Sequence, residues 1–181
     1  MPTLRSPRRR TVPKSFRIDQ SAAAAVEREA AAKNVSSNTL VNQILTQFAE
    51  FDRFTRRINT VEISASIFRS LLEGMEEGRV IDLAKSTGSS IPQAFANSRT
   101  GKVTVESLLD HLRLSGKYGH WYEFNEAPDP QNALVTLVHE FGLNWSIFLV
   151  HYVTAMFEQI GISPRIEMSD RSVAFTLPNK K

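Results

Sequence analysis

Residues 21–33, Ser-Ala-Ala-Ala-Ala-Val-Glu-Arg-Glu-Ala-Ala-Ala-Lys, constrain this chain more than any other stretch. Alanine is the best helix former, and Asp19 or Ser21 can cap the first turn, so the segment reads as a helix. A face made of alanine lets a neighbouring helix approach closely but buries little area. Such a helix cannot hold an isolated monomer together and must borrow apolar surface from elsewhere.

Its flanks show where that surface lies. Asn34 tolerates the left-handed conformation that ends helices, and Ser36, Ser37, Asn38 and Thr39 offer capping oxygens for a second helix. Leu40, Val41, Ile44, Leu45, Phe48, Phe51 and Phe54 then recur at near-helical spacing, which predicts that this helix runs to about residue 57. Upstream, residues 12–18 alternate as a strand, with Val12, Phe16 and Ile18 on one face and Pro13, Ser15 and Arg17 on the other. Lys14 falls on the apolar face, which leaves Phe16 and Ile18 as the convincing anchors. Residues 1–11 form a basic arm. The first twenty residues carry Arg5, Arg8, Arg9, Arg10, Lys14 and Arg17 against Asp19, so the net charge of +3 conceals a cationic start on a mildly acidic body. A cationic terminus of this kind suits a polyanion, because neutralised phosphates release their counterions. It is equally what a solvated tail looks like.

The order of elements, short strand, helix, an Asn-Val-Ser-Ser-Asn turn and a helix opening Thr-Leu-Val-Asn-Gln-Ile-Leu, resembles the ribbon-helix-helix family, the Arc and MetJ type of repressor. The resemblance covers residues 12 to about 55. It implies an obligate homodimer in which two strands pair antiparallel and four helices close over them, because a lone strand leaves its backbone groups unpaired. The ribbon would enter the major groove of double-stranded DNA. By position, Ser15 and Arg17 become base readers, with Pro13 at the outer end. Arg8, Arg9, Arg10, Lys14, Ser36, Ser37 and Asn38 become phosphate contacts, the last three at the positive end of the second helix; capping alone would also explain those three. Lys14 and Pro13 depart from the family pattern and leave the strand register open. A slip of one residue would turn Arg17 inward and Lys14 outward.

Hydrophobic content of 41% and charged content of 23% are those of a chain that buries a core over most of its length. The fold class expected is α+β: the ribbon-helix-helix module over residues 12–58, then a domain over residues 60–178 with helices on a mainly antiparallel sheet. Within that domain, residues 60–64 suggest a strand, 67–75 and 79–85 helices, 86–102 a loop rich in Ser, Gly and Asn, and Thr104 the cap of another helix. Residues 120–124 and 133–138 read as strands, as do 165–168 and 172–177 around the turn Ser169-Asp170-Arg171. Residues 144–160 read as a helix apolar nearly all round, covered on more than one side by its own domain or by a second subunit.

The chain has no cysteine, which excludes disulfides and thiolate metal sites and agrees with a cytoplasmic location. No apolar run reaches membrane-spanning length, and no apolar stretch follows the basic start, so neither a membrane partner nor a secretory signal is expected. His111, His120, His139 and His151 show no compact ligand spacing, and no nucleophile motif, phosphate-binding glycine loop or paired carboxylates appear. No metal, no cofactor and no enzymatic activity are expected. Aromatic residues cluster between residues 121 and 157; Trp121, His139, Trp145 and His151 form a candidate pocket for a small-molecule effector, against the alternative of a packed core. The sequence thus suggests a DNA-binding transcription regulator, a repressor by resemblance, with a ligand-sensing or oligomerisation domain. The alternative is an antitoxin-like interaction protein that autoregulates its own operon.

Overall fold

A computed structural model describes residues 11–58, 60–127 and 132–178. The chain falls into two compact units, one ending at Thr46 and the other beginning at Gln47. Among the described residues the class is α+β, with helices and a four-stranded antiparallel sheet. No helix among them is long and apolar enough to cross a membrane.

The first unit holds α1 (Gln20–Ala32) and α2 (Ser37–Gln47, whose last residue opens the second unit). Their turn is built as the sequence suggests. Asn34 sits at φ 52°, and the Val35 N–H donates to Ala30 O at 3.0 Å, closing the end of α1. The residues buried in this unit are Ala30 and Leu40. Residues 11–19 form no regular element within the single chain.

In the second unit the chain continues through a π-helical turn (Phe48–Asp52), the single turn α3 (Arg53–Thr55) and a 3₁₀ turn (Arg56–Ile58). The sequence assigned these residues to the amino-terminal module. They instead pack inside the second unit: Phe51 lies against Phe95 and Tyr118, and Phe54 meets Phe95 edge-on at 5.7 Å. Apolar spacing continued from α2 without a break, so periodicity alone could not reveal that these phenyl rings serve a different core.

The remaining helices are α4 (Ala65–Glu73), α5 (Glu77–Gly88), α6 (Ile91–Thr100), α7 (Val105–Gly119) and α8 (Leu143–Glu158). Residues 60–64 form no strand. They lead into α4, where Ser64 accepts a hydrogen bond from the Ile67 N–H. The expected loop over 86–102 contains α6, whose Pro92, Phe95 and Ala96 are buried; tertiary packing imposes a helix on a composition that favours loops. Thr104 caps α7 as expected, in a reciprocal pair with Ser107.

The strands β1 (Glu123–Ala127), β2 (Asn132–Val138), β3 (Arg165–Met168) and β4 (Ser172–Pro178) order as β1-β2-β4-β3. β1 starts later than residue 120, because His120 takes the left-handed conformation (φ 55°) that ends α7. Val135, Leu137, Val173, Phe175 and Leu177 point to the helical layer, as period-2 alternation requires. The two edge strands carry Glu123, Glu126, Arg165 and Glu167, charges that discourage pairing with another sheet.

α8 is the centre of this unit, and its own chain covers it on every side the sequence left open. Phe157 packs on Phe175 of the sheet, Tyr152 bonds to His111 of α7, and Trp145 meets Phe68 of α4. On α5, Gly88 approaches so closely that a Cβ there would lie 2.5 Å from the Tyr152 carbonyl oxygen. Only glycine allows that backbone contact.

Candidate nucleic-acid interface

The four described strand and arm candidates, Pro13, Lys14, Ser15 and Arg17, lie in the extended segment before α1, all exposed. Lys14 and Arg17 make no ion pair among the described residues. Arg8, Arg9 and Arg10 lie outside the described residues. Around these cations stand apolar side chains with nothing over them: Val12 is 72%, Phe16 69% and Ile18 60% exposed, and Ile44 and Leu45 on α2 are exposed as well. Single exposed apolar residues are ordinary, but an alternating set beside a unit with almost no core is a surface without its cover.

At the start of α2 the three candidates divide. Ser36 caps the helix: its Oγ accepts from the Thr39 N–H at 3.1 Å and shares a hydrogen with Thr39 Oγ1 at 2.8 Å. Ser37 and Asn38 are exposed, and their N–H groups belong to the first turn, where no intrahelical acceptor exists. Such a turn attracts anions. Capping and anion binding are compatible here, since the cap uses a side chain and the free donors are backbone.

The four residues grouped as a ligand pocket are not gathered around one cavity. Trp145 is buried and stacks on Phe148 at 4.6 Å, and its Nε1–H donates to the Trp121 carbonyl at 3.1 Å. Trp121 lies edge-on to it at 5.7 Å and is partly exposed. His139 belongs to a separate contact. Its Nδ1 accepts from the Phe141 N–H at 3.3 Å, so Nε2 carries the proton and donates to Ser146 Oγ at 2.9 Å. That tautomer cannot take a proton from Ser146, and Ser146 is fully buried, so the pair is not arranged as a nucleophile and its base. Burial, helped by Arg171, holds the His139 pKa down at about 4. His151 is half-buried, and burial followed by the Lys85 charge lowers its pKa.

His111, which the sequence did not single out, is the deepest titratable group. Its Nε2 lies 2.8 Å from Tyr152 Oη, and burial lowers its pKa to about 4 while raising that of Tyr152. His111 Nδ1 and Gln93 Oε1 are buried side-chain atoms without a partner among the described residues. No group of three or more His, Cys, Asp or Glu among those residues is placed to hold a metal ion.

Compared with known proteins, the chain matches no family model and no curated sequence.

Proposed function

We propose that the chain is a sequence-specific DNA-binding transcription regulator that acts as a homodimer, pairing residues 12–18 of two copies into a ribbon. The observation that carries this reading is the unfinished state of the amino-terminal unit. Fully burying a leucine stabilises by about 1.5–3 kcal/mol, whereas fixing each residue's backbone costs about 1–2 kcal/mol. Ala30 and Leu40 therefore cannot by themselves sustain two helices. A second copy supplies what is missing: strand pairing for residues 12–18, and cover for Phe16, Ile18, Ile44 and Leu45.

The polar face of such a ribbon presents Ser15 and Arg17, with Pro13 at its end where the absent N–H does least harm. Arg17 can donate two hydrogen bonds to guanine, Ser15 reads less sharply, and Lys14 meets phosphate with its stem over the apolar face. Arg8, Arg9, Arg10 and the first turn of α2 add sequence-independent phosphate contacts. In this reading the second unit, which holds together through its own core, is the part that senses or assembles.

Selection of bound sequences from random duplex DNA, run at two salt concentrations, tests the reading. An inverted repeat is expected, and Arg17→Ala is expected to relax one position of each half-site at a cost of about 1–3 kcal/mol. Salt-dependent binding without an enriched motif, or uniform weakening by Arg17→Ala on every sequence, would refute base reading.

A further inference from the structure

Helix α4 has apolar residues on two sides. Phe68 and Leu72 turn inward, Phe68 meeting Phe141 and Trp145 edge-on at 5.2 and 5.0 Å. One residue earlier in each turn, Ile67 and Leu71 stand 56% and 59% exposed, continuing from the exposed Ile63. Beside them run Ser66, Ser70 and Gly74 at four-residue spacing. Ser66, Ile67, Ser70 and Leu71 line an open depression of about 320 Å³ that contains no charged residue. The helix is pinned at its far end, where Asn144 Nδ2 donates to Leu72 O at 2.7 Å and Met75 O at 3.0 Å, so this face is held in place.

An aliphatic ridge beside a groove of small residues, both at i, i+4 spacing, is what two like helices need to interdigitate. A face that carries both the knob and the hole is complementary to itself across a two-fold axis. Its size points the same way. Three aliphatic side chains at half exposure or more amount to a few hundred Å², roughly the scale at which patches mark interaction sites. That is below the ~800 Å² per partner of a stable free-standing pair. A foreign protein in solution would not be held by it, whereas a second copy tethered nearby, at an effective concentration on the order of millimolar, would be. The geometry points to α4 docking on α4 of the second copy within one dimer, Ile67 and Leu71 of each seated in the Ser66–Ser70 groove of the other. This inference rests on the dimer proposed above.

The chain has no cysteine, so Ser70→Cys in the full-length protein introduces a single thiol at an exposed position. A disulfide forms only where the two Cα atoms come within about 7 Å. Under mild oxidation Ser70→Cys is expected to yield a covalent dimer at a rate unchanged by dilution, while Lys102→Cys, also exposed, does not. Adding Leu71→Glu is expected to slow cross-linking about ten-fold or more, with the dimeric mass in solution retained. A dimer by mass that fails to cross-link at Ser70 overturns the α4 contact and leaves the amino-terminal dimer standing. A monomer overturns both. A rate that rises with concentration, equal cross-linking at Lys102→Cys, or a different protein bound stoichiometrically and lost on Leu71→Glu would each overturn the pairing within one dimer.

Discussion

The two units stabilise themselves by opposite means. From Gln47 onward, helices and a sheet enclose Trp145, Phe157, Phe175, Leu112 and Val153, and even the apolar α8 finds all its cover in its own chain. Up to Thr46, good helix formers and well-made caps surround almost no core. Local propensity and tertiary burial are separable contributions, and this chain places them in different halves. A region that has the first without the second is a region built to be completed by something else.

The hardest test of that contrast is to cut it. Residues 47–181 alone are expected to melt in one cooperative transition whose midpoint ignores protein concentration. In the full-length chain, the helical signal that this fragment lacks is expected to grow with concentration. Circular dichroism over a dilution series decides, and a concentration-independent amino-terminal signal would mean the unit folds as a monomer.

Acid should separate the halves next. The buried His111 titrates near pH 4, below the ordinary value of 6.5, so the unfolded chain binds a proton that the folded one refuses between those pH values. The second unit should therefore hold full stability above about pH 6.5 and lose up to roughly 3 kcal/mol as the pH falls toward 4. His139, lowered to about 4 by burial, adds to the loss. Denaturant melts of wild type and His111→Gln across this range give the His111 share as the difference in slope; identical slopes would remove His111 from the account.

The smallest effect compares caps. Thr104→Ala removes a cap in the second unit, and Ser36→Ala removes one in the first, each worth about 1 kcal/mol. The first should lower the concentration-independent melt, and the second should shift the concentration-dependent one. Both substitutions acting on the same transition would mean that the units unfold together.

Sequence made the carboxy-terminal hairpin, the Thr104 cap and the turn at Asn34 legible, because each depends on residues close along the chain. It missed α6, since Ser, Asn and Gly hide a helix that exists to bury Phe95 and Ala96. It began β1 too early, because nothing local marks His120 as a left-handed stop. It drew Phe51 and Phe54 into the wrong unit, because a helical stripe has a period but no address. The aromatic cluster was visible as residue types, but only coordinates show Trp145 spent on packing and His139 on Ser146. The arm and strand candidates remain where they were read, exposed, and their roles await a partner. On α4, hydrophobic residues at 67, 68, 71 and 72 read as a single buried side, and the fold divides them into one face turned in and one turned out.

The meeting of Gly88 with Tyr152 also limits how this protein can move. Side chains can change rotamer to let two helices slide, but here backbone lies on backbone, and no rotamer is available to yield. α5 and α8 must then travel together as one lever. A signal passing through this unit would be carried as the swing of a rigid pair, with the give confined to the loops and turns at its ends.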